Sequence, residues 1–185
     1  MLEAATRRFW RHGYAGTSVD DLVQATGASR HALYQAFGGK CRLFRECLDF
    51  YRDWAVTPAF GRVERPGAGL AEVAAFFEYQ IAKSEAAGLP GPGCLFANTM
   101  TELAPHDPEV AAQVRGHNER LAAGFARAMA NDATRPIDPA ELRDLAQFLA
   151  TSAQGLWSMS RAISDAGLLR RYAATLVGLV RHRLA

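Results

Sequence analysis

The chain has 185 residues, 49% of them apolar and 22% charged, and a net charge of +2 at neutral pH. That balance favours a folded core over disorder, and the longest apolar runs fall well short of a membrane span. No charged-then-apolar leader opens the chain, so a cytoplasmic protein is expected. The three cysteines, Cys41, Cys47 and Cys94, lack the spacing of a disulfide framework or a zinc site. Charge is unevenly placed: residues 1–52 hold eight Lys/Arg against five Asp/Glu, giving +3, while the remainder holds 13 against 14. A basic head suits a nucleic-acid partner, although on charge alone an ordinary solvated surface fits equally well.

Helical periodicity runs through the whole chain and no strand alternation appears, so the expected fold is all-α with about nine helices. Leu2, Ala5 and Phe9 form a first stripe, closed by His12-Gly13. Thr17-Ser18 then precedes Val19, Leu22 and Val23, with Asp20 and Asp21 in the first turn, where the helix dipole favours acids. Gly27 ends that short helix, Ser29 can cap the next, and Leu33 and Phe37 point it inward. Gly38-Gly39 breaks it, and a longer helix from about Lys40 buries Leu43, Phe44, Cys47, Leu48 and Tyr51. Residues 61–69 read as a linker ahead of a helix carrying Leu70, Val73, Phe76, Phe77 and Ile81. After the break GLPGPG (88–93), a helix opened by HDP (106–108) runs to about Met129, and NDATRPIDP (131–139) interrupts it. The last two helices are expected at about 139–164 and 167–184. There is no internal repeat. The expected domains are 1–52 and 53–185.

Two short helices joined by a tight glycine turn, with a helix on either side, make a helix-turn-helix. Anchored by Leu33 and Phe37, its second helix leaves Arg30, His31, Tyr34 and Gln35 outside. A helix so presented enters a major groove by its N-terminus. Arg30 can fork onto guanine and Gln35 suits adenine, whereas Tyr34, Lys40 and the hydroxyls of Thr17, Ser18 and Ser29 suit phosphate oxygens.

The stretch LEAATRRFWRHGYAGTSVDDLVQATGASRHALYQAFGGKCRLF resembles the N-terminal domain of TetR-family transcriptional regulators. The matching positions are Ala5 to Phe9, Gly13-Tyr14, Thr17-Ser18-Val19, Gly27-Ala28-Ser29, Leu33-Tyr34, Phe37 and Lys40. The family usually carries several, often basic, residues ahead of the first helix, whereas here Met1 falls almost on it. The resemblance implies phosphate contacts at Thr17, Ser18, Tyr34 and Lys40, with base readout around Ser29 to Gln35. It further implies a C-terminal domain that binds a small effector and dimerises through the last two helices. Leu156, Leu176 and Leu179 are the expected dimer contacts, in an isologous four-helix packing.

For the effector, Phe77, Cys94, Phe96, Met100, Phe125 and Trp157 are the candidate contacts, with Phe76, Phe148 and Met159 as further apolar wall. Asn98, Thr99, Glu102, His117 and Gln154 could add polar ones. Plain core is the competing reading for each apolar residue. Cys94 follows GPG and precedes a helix, where a dipole can lower a thiol pKa, so it is a candidate sensor. No nucleotide, hydrolase or metalloprotease motif occurs, and no cofactor is implied. Together these features point to a ligand-responsive repressor that binds a partly palindromic operator as a homodimer. The alternatives are a helical interaction module without DNA binding, and a thiol enzyme pairing Cys94 with His106 or His117.

Overall fold

In the structure, a computed structural model that describes all 185 residues, every regular element is helical. The helices are α1 (Leu2–His12), α2 (Val19–Thr26), α3 (Arg30–Phe37), α4 (Lys40–Tyr51), α5 (Leu70–Ala87), α6 (Leu95–Glu102), α7 (Pro108–Asp132), α8 (Pro139–Met159) and α9 (Ala166–Leu184). A π-helical turn (Arg52–Val56) and a short α-helical turn (Thr57–Phe60) follow α4 directly, and with 40–60 taken as one stretch the helices number nine. The residues group into two compact units. Unit 1 holds Met1–Val56 and Cys94–Val114; unit 2 holds Thr57–Gly93 and Arg115–Ala185.

Unit 1 is built on a core of Ala5, Phe9, Leu22, Leu33, Leu43, Phe44 and Leu48, drawn from α1 to α4. Phe9 and Phe44 meet edge to face with centroids 4.9 Å apart. Local chemistry sets the ends of its short helices. Ser18 Oγ accepts the Asp21 N–H at 3.1 Å while the Asp21 carboxylate accepts the Ser18 N–H at 2.8 Å, a reciprocal capping box. These hydrogen bonds, with Arg8 2.9 Å away, hold the Asp21 carboxyl below its ordinary pKa. Gly27, with φ 70°, closes α2 in the left-handed conformation that side chains resist. Ser29 Oγ then accepts the Ala32 N–H at 3.1 Å and starts α3 two residues later.

Unit 2 surrounds the rings of Phe60, Phe76, Phe77, Phe125 and Trp157, whose neighbouring centroids lie 5.2 to 6.3 Å apart. The end of α7 fixes the start of α5: Asp132 accepts the Leu70 N–H at 2.7 Å, and Asn131 donates to the Ala68 carbonyl at 2.8 Å. Residues 61–69 are therefore packed, with Val63 and Ala68 buried, rather than the free linker expected from their composition. Asp138 and Asp165 cap α8 and α9. The former ends at Met159, five residues before the expected 164, where Ser160 Oγ turns back to donate to the Trp157 carbonyl at 2.7 Å.

Candidate nucleic-acid interface

Because Leu33 is buried and Phe37 half-buried, α3 presents Arg30, His31, Tyr34 and Gln35 to solvent, Tyr34 with 48% of its surface exposed. The cap residues Ser18 and Ser29 are exposed as well. The Arg30 guanidinium rests 2.5 Å from Asp20 across the α2–α3 turn. Both groups are well exposed, and such a surface pair contributes at most about 1 kcal/mol. A bidentate contact to a guanine edge is worth about 1–3 kcal/mol. The arginine can therefore leave its resting partner for a base.

Lys40 stands at the start of α4 beside Tyr34, where Val19, Tyr34, Gly39 and Lys40 line one small cavity. Its ammonium lies 4.1 Å from the centroid of the Tyr14 ring. Burial lowers the Lys40 pKa, and the carboxylates of Glu102 and Asp21 oppose that shift. Thr17 departs from the expectation. It is fully buried, and its hydroxyl donates to the Gly13 carbonyl at 2.8 Å, so it fastens the α1–α2 turn from inside instead of facing a phosphate. The outcome is one solvated face carrying a guanidinium fork, a carboxamide, hydroxyls and an ammonium, with backbone donors at two capped helix starts.

Comparison with known proteins decides the family. Residues 1–47 match the bacterial regulatory proteins of the tetR family, and residues 69–176 match the tetracyclin repressor-like C-terminal domain. The chain belongs to the TetR family. It is 30% identical over 182 residues to the HTH-type transcriptional repressor ComR of Escherichia coli, spanning 96% of this chain and 86% of ComR. YezE of Bacillus subtilis, an HTH-type transcriptional regulator, is 27% identical over 176 residues, 89% of this chain and 86% of that one. Among solved structures, the TetR-family regulator CifR with 26-base-pair operator DNA superposes with a TM-score of 0.82 at 24% identity, covering 96% of this chain and 93% of that one. A TetR regulator from Chloroflexus aurantiacus gives 0.80 at 22% identity, covering 97% and 91%. The all-α fold with an N-terminal helix-turn-helix is thus that of a TetR-family transcriptional regulator.

The other candidate residues of this TetR-family regulator fall into separate places. Phe77, Phe125 and Trp157 come together in unit 2, with Phe77 and Phe125 stacked at 6.2 Å and Phe77 5.9 Å from Trp157. One turn before Trp157, the buried Gln154 donates to Asn118 at 2.9 Å, while its Oε1 meets no donor. His117 is also buried there, and desolvation, helped by Arg120, pushes its pKa down to about 3. Cys94, Phe96 and Met100 belong to unit 1. The thiol of Cys94 is buried and engaged with the Tyr51 hydroxyl, not with a histidine, and burial raises its pKa. The lowered thiol pKa expected from the helix start is therefore reversed, and desolvation outweighs the backbone N–H groups of Phe96 and Ala97. Glu102, expected among effector contacts, instead accepts the backbone N–H groups of Tyr14 and Ala15.

On the last two helices, Leu156 and Leu176 point inward at 2% and 4% exposure, so neither is free to touch a second chain. Leu179, at 55%, is exposed as expected. Phe148 and Met159, expected against an effector, are exposed too, along with Leu168 and Tyr172. The spacings 148–159 and 168–172–179 each follow one helix face, and Gly155 lies between Phe148 and Met159 with open space above it. No helix is long and apolar enough to cross a membrane, and no cluster of three His, Cys, Asp or Glu side chains is placed to hold a metal.

Proposed function

We propose that the protein is a cytoplasmic homodimeric repressor that binds a partly palindromic operator and is released by a small effector. The observation that carries this reading is the solvated hydrogen-bonding face of α3, set on a capped turn beside Lys40. Residues 1–52 read DNA: Arg30 takes a guanine edge, Gln35 an adenine, with His31 at the same groove. Ser18, Ser29, Tyr34 and Lys40 hold phosphates. Residues 53–185 take up the effector and hold the dimer. Phe77, Phe125 and Trp157 supply apolar contact for the effector.

The dimer face is formed by Phe148, Met159, Leu168, Tyr172 and Leu179. Five large apolar side chains left in water on two adjacent helices are what a second copy would cover. Two reading helices one DNA turn apart fit successive major grooves, and an effector that alters their separation weakens the fit. Light scattering of wild type and Leu179→Glu tests the assembly. Wild type runs as a dimer at micromolar concentration, and the variant as a folded monomer with operator affinity reduced at least tenfold. A monomeric wild type defeats the proposal.

A further inference from the structure

We infer that Glu102, the last residue of α6, is a positioning residue for DNA binding, acting by locking the α1–α2 turn and, through Tyr14, the phosphate-holding Lys40. The Glu102 carboxylate spans two consecutive amides, accepting the Tyr14 N–H at 3.0 Å and the Ala15 N–H at 2.8 Å across 88 and 87 residues of chain. Gly13 admits the carboxylate. Its φ is 75°, and a Cβ there would stand 2.8 Å from both Glu102 oxygens. Only glycine meets both conditions.

The placement of the acid is itself informative. A carboxylate in the last turn of a helix opposes the helix dipole, so α6 gains nothing for its own stability from Glu102. What the carboxylate does satisfy is the turn, whose amides follow the end of α1 and would otherwise depend on water. The Tyr14 backbone so fixed carries the ring that supports the Lys40 ammonium at 4.1 Å, and Glu102 acts on that ammonium electrostatically as well. The same turn leads through Thr17 to Ser18, which caps α2.

The grip of this segment on the head is reinforced from the α7 side. Asp107 accepts the Cys41 thiol at 3.0 Å, Glu109 pairs with Arg45, and Gln113 donates to the Arg45 carbonyl at 3.1 Å. Cys94–Val114 thus clasps both the turn before α2 and the start of α4, the two places from which Ser18 and Lys40 reach the backbone.

This inference rests on the DNA-binding reading, so its test has one arm that needs no DNA. Amide exchange measured by NMR on wild type, Glu102→Ala and Glu102→Gln should show protection lost at Tyr14 and Ala15 in the alanine variant and partly kept in the glutamine variant. Exchange in α2 and α3 should be unchanged in both. Operator affinity measured across salt should fall about tenfold in Glu102→Ala, with the log–log salt slope flattened by about one unit, the signature of one lost phosphate contact. Lys40→Ala should flatten it equally, and the double variant should lose no more than either single one. Unchanged exchange at Tyr14 and Ala15 removes the lock. Lost protection with an unchanged salt slope, or additive losses in the double variant, removes the positioning role. A wild type that binds no duplex defeats the DNA-binding reading itself, while the exchange arm still scores the lock.

Discussion

The reading head and the last two helices both leave side chains in water, but of opposite kinds. On α3 the exposed groups are Arg30, His31, Tyr34 and Gln35, with Lys40 half-buried beside them. On α8 and α9 they are Phe148, Met159, Leu168, Tyr172 and Leu179. Donors and cations in water cost nothing until a polyanion arrives, whereas exposed aromatic and leucine side chains lose free energy continuously, about 25 cal/mol for every Å² left uncovered. The first surface therefore suits a transient partner, and the second matches the dimer face proposed above.

The largest expected effect breaks this comparison from the inside. Phe125 is fully buried against three other rings, Phe60, Phe76 and Phe77, and Phe125→Ala should cost about 3–5 kcal/mol of stability by denaturant unfolding. That loss should leave Arg30 and Gln35 untouched, so any molecules still folded should keep the wild-type base preference. Next comes pH. His117 is held neutral in the folded protein, with a pKa of about 3 against an ordinary 6.5. Its contribution is full above 6.5 and is lost as pH falls below that value, because the unfolded chain then binds a proton that the folded chain refuses. Between pH 7 and pH 5 the loss should be about 2 kcal/mol. His117→Gln should abolish that dependence; an unchanged pH profile in the variant would assign the dependence to other groups.

A smaller and sharper effect separates two roles within the head. Arg30→Ala should cost about 1–3 kcal/mol on the operator and relax preference at one base pair, whereas Lys40→Ala should weaken all sequences alike and flatten the salt slope by about one. Equal behaviour of the two variants across operator changes would erase the distinction between reading and holding.

What could be read from sequence follows the range of the interactions. The head is specified by neighbours: Ser18 and Asp21 three apart, Gly27 at a chain reversal, Ser29 before Ala32. Those spacings set helix ends by themselves, which is why α2 and α3 fall where expected. Glu102 on the Tyr14 and Ala15 amides joins residues nearly ninety apart, and no local pattern encodes it. Thr17 differs from expectation for another reason. Its bond to the Gly13 carbonyl is local, but a hydroxyl ahead of a helix cap suits an inward turn contact as well as an outward phosphate contact. On α8 and α9 apolar residues occupy several faces, so periodicity could not tell the inward Leu156 and Leu176 from the outward Leu179. Composition likewise hid the buried state of Val63 and Ala68 behind a run rich in glycine, arginine and proline. Cys94 shows how burial can reverse a sequence rule, since the helix start that should lower its pKa is itself buried.

The central claim is that this head reads DNA as one half of a symmetric pair. Enrichment of random duplexes by the purified wild-type protein, followed by sequencing, tests it most directly. The account predicts a partly palindromic motif with two half-sites about one helical turn apart, and loss of one preferred base pair in each half-site when Arg30→Ala is used instead. Recovery of unselected duplexes, or of a motif with a single half-site, would contradict it.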